Sequence, residues 1–191
     1  MSARLTVLSG PSGVGKGTVV EAVRQRYPDV WVSVSVTTRA PRPGEVDGVQ
    51  YRFVDRAEYA RMVAADELLE HADFAGHGYG TPRVPLEEQR AAGRPTLLEI
   101  ELQGARQVRA ADPGAQLVFL APPSWPELQH RLRGRATESP ERVAARLERA
   151  RVEMAAVGEF DAVVVNDDIE RAATELVGLI QEVCSVPGST P

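Results

Sequence analysis

Three residues near the start of the chain have the types and the spacing that bind phosphate groups. Gly10, Gly15 and Lys16 satisfy the pattern G-x-x-x-x-G-K, between an apolar segment typical of a strand and a segment typical of a helix. In that context the pattern is the P-loop. Its glycines let successive backbone N–H groups point at an anion, and the dipole of the following helix attracts the same anion. The pattern therefore predicts that the chain binds a nucleoside triphosphate.

Lys16 is set apart by the composition of the chain. It is the only lysine, and the other 21 of the 22 basic residues are arginine. A lysine ammonium is a compact point charge that can reach between two phosphates, whereas a guanidinium is larger and planar. A lone lysine here indicates that arginine cannot replace it. This argues against the alternative, which is an ordinary strand-turn-helix corner.

The residue after the P-loop lysine departs from the usual pattern. Ser or Thr usually stands there, and its hydroxyl holds Mg²⁺, but this chain has Gly17 followed by Thr18. We therefore expect Mg²⁺ to be held mostly by nucleotide oxygens, by water or by a carboxylate from elsewhere in the chain.

Length and composition are typical of a single soluble domain. The chain has 191 residues, of which 43% are hydrophobic and 26% charged. A net charge of −5 gives no general attraction to nucleic acid or to an anionic membrane. No apolar run is long enough to span a bilayer, the first strand begins too early for a signal peptide, and Cys184 has no partner cysteine. We expect a cytoplasmic protein without nucleic-acid or membrane partners. Its oligomeric state stays open, with a monomer slightly favoured.

The order of the predicted elements indicates the fold class. After the first strand, strands are predicted at 31–37, 51–54, 68–75, 96–100, 116–120 and 162–165, and helices at 18–27, 55–66, 82–93, 103–111, 124–133, 139–157 and 168–183. Continuous apolar strands separated by helices are typical of a parallel sheet covered on both faces. Ligands of such sheets bind beyond the carboxyl ends of the strands, where the P-loop lies. Residues from about 35 to 81 are predicted to form a small, mostly β excursion with a sparse core.

A proline-rich loop in this excursion carries a second candidate phosphate site. Arg39 and Arg42 are three residues apart, and Tyr51 follows them. Each guanidinium can donate two hydrogen bonds to one dianionic phosphate. The alternative is a solvated polar loop.

Seven motifs taken together closely resemble guanylate kinases, the GMP-phosphorylating members of the P-loop nucleoside monophosphate kinases. They occur in order between residues 10 and 168: GPSGVGKGT, SVSVTTRAPRPGEVDGVQY, EHADFAGHGYGT, LLEIELQG, LAPPS, RLRGRATES and VVVNDD. The resemblance implies an α/β fold with a P-loop NTPase-type parallel sheet flanked by helices. It also implies a core of residues 1–34, 82–130 and 148–184, a small, mostly β GMP-binding insertion at 35–81, and a helical lid at 131–147. The tail at 185–191 is expected to be disordered.

The resemblance also implies which residues contact GMP. Those implied for its phosphate are Arg39, Arg42, Tyr51 and Tyr79. Those implied for its guanine are Ser35, Glu70 and Thr81, the last at a position where many relatives have Ser. Chemistry supports Glu70 independently, because guanine presents adjacent N1–H and N2–H₂ donors and one carboxylate can accept both. Adenine has an acceptor at N1 and would be badly paired there. Without the flanking motifs, an exposed strand carboxylate would be an equally good interpretation of Glu70.

On the ATP side, the resemblance assigns the P-loop, three lid arginines and two residues after the last strand. The P-loop residues are Gly10, Pro11, Ser12, Gly13, Val14, Gly15, Lys16, Gly17 and Thr18. The lid arginines implied to close over the ATP phosphates are Arg131, Arg135 and Arg146, whereas the other arginines nearby are expected on a solvated helix face. Asn166 and Asp167 are implied to line the adenine pocket, with capping of the last helix as the alternative. The residues expected to act in catalysis are Lys16, Arg39, Arg42, Arg135 and Arg146.

Two glutamates alternate along a predicted buried strand. Glu99 and Glu101 are therefore expected at its carboxyl end on one side. The resemblance, in which relatives often have Asp, implies that Glu101 lies near GMP and Mg²⁺ and contacts the metal directly or through water. A carboxylate there could compensate for Gly17.

These expectations together describe transfer of the γ-phosphoryl group of MgATP to GMP, and also to dGMP, giving ADP and GDP. The transfer is direct and in line and needs no protein nucleophile, while closure of the insertion and the lid excludes water. Two alternatives belong to other classes. A catalytically inactive guanylate-kinase-like interaction module would typically lack an intact P-loop, and a P-loop kinase for another nucleotide is opposed by Glu70 and the loop at Ser35.

Overall fold

A five-stranded parallel sheet forms the surface against which most of the chain packs. The structure is a computed structural model that describes residues 3–74, 76–133 and 140–185. Its strands are β1 (Leu5–Ser9), β2 (Trp31–Val32), β3 (Ser35–Thr37), β4 (Tyr51–Phe53), β5 (Leu68–Phe74), β6 (His77–Pro82), β7 (Thr96–Glu99), β8 (Gln116–Ala121) and β9 (Ala162–Val165). Its helices are α1 (Lys16–Arg26), α2 (Arg56–Ala64), α3 (Arg83–Ala91), α4 (Leu102–Ala111), α5 (Trp125–Arg133), α6 (Pro140–Ala155) and α7 (Ile169–Ser185), and a 3₁₀ turn, Ala156–Glu159, follows α6.

The larger sheet has the order β2-β7-β1-β8-β9, and its neighbouring strands are all parallel. Alternate side chains of these strands enter two apolar cores. Leu8, Leu97 and Leu120 pack with α1, α5 and α7 on one face, while Val7 and Leu98 pack with α3 and α4 on the other. Every residue of β1 and β8 is buried, as expected for parallel strands covered on both faces. The predicted fold class is confirmed.

A second, four-stranded sheet is formed by the chain between β2 and α3. Its order is β4-β3-β6-β5, with β3 parallel to β4 and with β3 and β5 antiparallel to β6. Val36, Met62 and Leu68 make a small core under α2. Asp55 caps α2 by accepting a hydrogen bond of 2.7 Å from the backbone N–H of Glu58. The predicted N-capped helix is therefore confirmed.

The predicted strand at 31–37 is wrong as a single element. It consists of β2, which pairs with β7 in the larger sheet, and β3, which belongs to the smaller sheet. The chain passes from one sheet to the other between them. An apolar, β-branched pattern cannot reveal this break, because both halves are partly buried strands.

The glycine-rich sequence GHGYGT, for which the pattern predicts no strand, is mostly β6. A Cβ atom at Gly78 would lie 2.5 Å from Cε1 of Tyr59, and one at Gly80 would lie 2.6 Å from Cδ1 of Leu68. These glycines allow close packing inside the small sheet. Composition alone does not distinguish that use of glycine from a turn.

The other predicted helices and strands are present, with ends that differ by a few residues. None of the described helices combines the length and the apolar character needed to cross a bilayer.

Candidate active site

A cavity of about 490 Å³ lies beyond the carboxyl ends of β1 and β7 and is bounded by residues of both sheets. It brings together most of the residues predicted for the two nucleotides. Those predicted for ATP that line it are Pro11, Ser12, Gly13, Gly15, Lys16, Gly17, Thr18 and Arg146. Those predicted for GMP that line it are Ser35, Arg39, Arg42, Tyr51, Glu70, Tyr79 and Glu101. The residues predicted to bind ATP and those predicted to bind GMP therefore share one cavity.

The P-loop passes so close to its neighbours that two of its glycines have no room for a side chain. Gly10 has a φ of 152°, and a Cβ atom there would lie 2.3 Å from the carbonyl oxygen of Leu120 in β8. Gly15, the N-cap of α1, has a φ of 97°, and its Cβ would lie 2.7 Å from Nδ2 of Asn166. Both positions require glycine. The loop thereby places the N-terminus of α1 at the cavity, where backbone N–H groups can bind an anion.

Lys16 is a nearly buried cation within this loop. Its side chain folds back so that Nζ donates a hydrogen bond of 2.7 Å to the carbonyl oxygen of Gly10. Nζ also lies 3.7 Å from Oε1 of Glu101, and the residue is 8% exposed. The ammonium is therefore held at the phosphate cradle by groups that a compact cation can contact together.

Two residues predicted to contact ATP instead contact the backbone of the P-loop. Asn166 Nδ2 donates to the carbonyl oxygen of Val14 at 2.8 Å, and Arg131 Nη1 donates to the same oxygen at 3.3 Å. Arg131 is also paired with Glu127 at 2.9 Å, and the Val14 side chain is buried in the larger core. In this structure Asn166 and Arg131 support the P-loop through the carbonyl oxygen of Val14, and none of these three residues lines the cavity. A direct contact of any of them with ATP stays a prediction.

The remaining predicted residues occupy different places. Gly10 and Thr81 contact residues that line the cavity. The carbonyl oxygen of Gly10 accepts a hydrogen bond from Lys16, and the Thr81 hydroxyl donates one to Glu70. Asp167 pairs with Arg171 of α7. This contact is consistent with the alternative that Asp167 belongs to the start of the last helix. Arg135 lies outside the described residues.

The proline-rich loop holds Arg39 in a bidentate ion pair with Glu45, a residue that no motif singles out. Nη1 and Nη2 of Arg39 each donate to the carboxylate of Glu45 at 2.9 Å. The same carboxylate accepts from the backbone N–H of Arg42 at 2.7 Å. Arg39 lowers the pKa of Glu45 below its ordinary value, so Glu45 is a carboxylate. In the sequence, Glu45 is recognisable only as an acidic residue three positions after Arg42, in a loop that contains two arginines.

Tyr51 and Tyr79 lie on the wall beside this ion pair. Their ring centroids are 6.0 Å apart in an edge-on arrangement, and the guanidinium carbon of Arg39 lies 5.3 Å from the Tyr51 ring centre. Burial raises the pKa of Tyr51 to about 12. Its phenol is therefore protonated at neutral pH and can donate a hydrogen bond to an anion.

Glu70 is a buried carboxyl group that lines the same cavity. It is 4% exposed, and Oε1 accepts a hydrogen bond of 2.7 Å from the Thr81 hydroxyl. Burial raises its pKa to about 7, although the hydrogen bonds from Thr81 oppose that shift. A buried, weakly acidic carboxyl group facing a cavity is suited to accept hydrogen bonds from a ligand that supplies donors.

The two glutamates predicted on one strand are separated by the end of that strand. β7 ends at Glu99, and Glu101 is the N-cap of α4, because the strand ends and the helix begins one residue earlier than the pattern predicts. Both still line the cavity. Both carboxylate oxygens of Glu99 lie 3.9 Å from where a Cβ of Gly17 would stand. Glu99 therefore lies next to the space that the side chain of a Ser or Thr would occupy in place of Gly17.

A third carboxyl group, Glu153 of α6, reaches the P-loop from a distant part of the sequence. Its Oε2 accepts a hydrogen bond of 2.9 Å from the backbone N–H of Ser12, and it is 5% exposed. Burial raises the pKa of Glu153 above its ordinary value. Arg146, on the same helix, lines the cavity, so Glu153 attaches the helix carrying Arg146 to the P-loop. Ser12 and Glu153 are separated by 141 positions in the sequence, so no local pattern predicts this contact.

Comparison with known proteins gives results consistent with this geometry. The family model described as guanylate kinase matches residues 2–183. A guanylate kinase of Frankia casuarinae is 69% identical over 92% of this chain and 96% of its own. One of Thermobifida fusca is 64% identical over 93% of this chain and 90% of its own.

A solved structure supports the same relationship. The crystal structure of guanylate kinase from Anaplasma phagocytophilum matches with a TM-score of 0.79 and 34% identity, and covers 97% of this chain and 88% of its own. Sequence and structure thus agree over almost the whole chain, and we conclude that it belongs to the guanylate kinase family.

Proposed function

We propose that this chain transfers the γ-phosphoryl group of ATP to GMP, giving ADP and GDP. One observation carries the proposal. A single cavity contains the P-loop lysine, Lys16, together with a phosphate-binding wall at Arg39 and a buried carboxyl group at Glu70. An ATP-hydrolysing protein would need the first of these features, but only a nucleotide acceptor with adjacent donor groups would need the other two.

Each group of the two nucleotides is assigned to residues of the cavity. The guanine donors face Glu70, and the GMP phosphate lies at Arg39, Arg42, Tyr51 and Tyr79. An oxygen of that phosphate attacks the γ-phosphorus of ATP, and the bond to the bridging oxygen breaks as ADP leaves. Lys16, Arg146 and, outside the described residues, Arg135 stabilise the charge of the group in transfer. The protein supplies position and charge, and it supplies no nucleophile.

The carboxylate groups at the cavity suit Mg²⁺ bound together with ATP. Oε2 of Glu101 is buried without a hydrogen-bond partner among the described residues, and Glu99 stands beside Gly17. Within those residues no group of three or more His, Cys, Asp or Glu side chains could hold a metal by itself. Glu99 and Glu101 would therefore hold the ion jointly with phosphate oxygens. When bound, Mg²⁺ neutralises phosphate charge.

Closure over the two nucleotides is part of the proposal. The insertion at 35–81 and the lid at 131–147, of which residues 134–139 lie outside the described residues, move towards the remaining core residues, and water is thereby excluded. The chain leaves the larger sheet for the smaller one between β2 and β3, and we expect the insertion to turn there.

The proposed activity is tested by ADP formation with GMP, AMP, CMP and UMP in parallel, each with MgATP. Of the four monophosphates, we expect only GMP to give rapid turnover. Turnover with another monophosphate in preference to GMP would indicate a different nucleotide kinase. Binding of GMP without any turnover would indicate the inactive interaction module.

Glu45→Ala is expected to raise KM for GMP about tenfold with kcat nearly unchanged. Glu45 accepts charged hydrogen bonds from Arg39 and from the backbone of Arg42, so its loss frees the guanidinium from its position. One such bond is worth about 1.5 kcal/mol, which corresponds to about tenfold. Steady-state kinetics with GMP varied at saturating ATP measure the effect. Glu58→Ala is the control, because it breaks an exposed pair with Arg61 in the same part of the chain. A lower KM for Glu45→Ala would show that Glu45 mainly competes with the phosphate.

The pKa of Glu70 predicts a pH dependence of GMP binding. Guanine donors pair with the carboxylate, whereas the empty site holds a proton on Glu70 below about pH 7. Binding must therefore release that proton, and KM for GMP should rise by up to about tenfold per pH unit as the pH falls below 7. The GMP phosphate also gains a proton near pH 6, so the curve is compared with that of Glu70→Gln, which cannot ionise. Parallel curves for the two proteins would show that Glu70 does not titrate on binding.

A further inference from the structure

Glu70 lies in an irregular part of the small sheet. In the pairing of β5 with β6, Leu68 is opposite Pro82 and His71 is opposite Gly80, so three steps along β5 match two along β6. One extra residue is therefore inserted into β5 next to Glu70. Such a β-bulge turns a side chain out of its regular direction and leaves part of the ladder unpaired. The backbone around Glu70 needs support from outside the ladder.

α4 gives this support through one side-chain amide. Gln107 Nε2 donates a hydrogen bond of 2.7 Å to the carbonyl oxygen of His71. The backbone N–H of His71 donates back to Gln107 Oε1 at 3.1 Å. β5 is the last strand in the order of its sheet, so Gln107 takes the place of a neighbouring strand at the residue directly after Glu70. A glutamine amide has the donor and the acceptor that this reciprocal pair requires.

The same helix also contacts the carboxyl group of Glu70. A Cβ atom at Gly104 would lie 2.3 Å from Oε2 and 3.0 Å from the carboxyl carbon of Glu70. Gly104 and Gln107 are three residues apart and so lie on one face of α4. The Thr81 hydroxyl holds the other oxygen, Oε1. The carboxyl group is thus confined on one side by Thr81 and on the other by the bare backbone at Gly104.

We propose that Gln107 and Gly104 are positioning residues for guanine selection, acting through Glu70. Gln107 fixes the strand just after the bulge, and Gly104 leaves the space in which the carboxylate faces the guanine donors. Neither residue needs to touch GMP for this effect. The inference rests on the proposed function, since it assigns Glu70 to the guanine.

The first test is the steady-state kinetics of Gln107→Ala with GMP and with AMP, and with ATP varied at saturating GMP. We expect KM for GMP to rise about tenfold, with kcat and KM for ATP within twofold of wild type, and the preference for GMP over AMP to fall. Gln103→Ala is the matched control, because Gln103 is an exposed glutamine on the same helix and should change none of these values. A uniform loss of kcat with both acceptors would overturn the proposal, because it would indicate a general structural role.

A double-mutant cycle tests whether Gln107 acts through Glu70. If it does, adding Gln107→Ala to Glu70→Gln should lower kcat/KM for GMP by less than twofold further. A full tenfold loss in that background would overturn the proposal. Gly104→Ala is the second variant, in case Gln107→Ala does not fold. It should also raise KM for GMP with KM for ATP unchanged, and an unchanged KM for GMP in a folded Gly104→Ala protein would contradict the inference.

The wild-type protein separates this inference from the proposed function. If the wild type does not phosphorylate GMP, the proposed function fails. If it phosphorylates GMP selectively while Gln107→Ala and Gly104→Ala behave like wild type, only the inference fails.

Discussion

Lys16→Arg is expected to lower kcat by a hundredfold or more, although the charge is kept. The loss corresponds to about 3 kcal/mol of transition-state stabilisation. In the structure Nζ of Lys16 fits between the Gly10 carbonyl oxygen and the Glu101 carboxylate, 2.7 and 3.7 Å away, in a nearly buried position. A guanidinium is longer and planar, so it cannot occupy the same space inside the backbone cradle or reach the same point between two phosphates.

The measurement is the rate of ADP formation at saturating ATP and GMP, with the thermal unfolding midpoint recorded for each protein. Lys16 is the only lysine, so the control exchanges the two residue types in the opposite direction at an exposed site, Arg52→Lys. It should leave kcat within twofold of wild type. A folded Lys16→Arg protein that keeps a tenth of the wild-type kcat would show that Lys16 is not the phosphate lysine.

The parts of the site that follow from the sequence are those fixed by short stretches of chain. The P-loop motif carries its own strand, turn and helix, so its place at the carboxyl end of β1 follows directly. The apolar runs of β1, β7, β8 and β9 require a covered parallel sheet for a similar reason. Arg39 and Arg42 share one loop, and their spacing suits an anion site, which the other motifs favour over a solvated polar loop.

The parts that the sequence does not predict depend on contacts between distant segments. Glu153 reaches Ser12 across 141 residues, and Gln107 reaches His71 across 36. Neither residue belongs to a short motif, and buried glutamates or helical glutamines are recognisable only once the fold brings a partner to them. Asn166 is a related case. The resemblance implies a nucleotide contact for it, which stays a prediction, and its amide also donates to the P-loop backbone, because a buried carbonyl requires a donor.

Glu70→Gln is expected to lower kcat/KM for GMP by an amount that corresponds to about 2–4 kcal/mol of transition-state stabilisation. The affinity for ATP should stay unchanged. The Thr81 hydroxyl donates to Oε1 of Glu70, so a glutamine there keeps its oxygen towards Thr81 and turns its NH₂ group towards the guanine. That group meets the N1–H and N2–H₂ donors of guanine, so one charged hydrogen bond is lost and a buried donor is left unpaired. The same NH₂ group can donate to N1 of adenine. The preference for GMP over AMP should therefore narrow.

The test is steady-state kinetics with GMP and with AMP at saturating ATP, together with a titration of ATP binding. Glu87→Gln, an exposed glutamate on α3, makes the same chemical change away from the cavity and should match wild type in all three measurements. We expect the carboxylate to face the guanine from inside a buried site, where an unpaired donor cannot be compensated by water. If Glu70→Gln weakens ATP binding and leaves GMP and AMP kinetics unchanged, Glu70 does not recognise the guanine. ATP, and not GMP, would then occupy the part of the cavity beside Glu70.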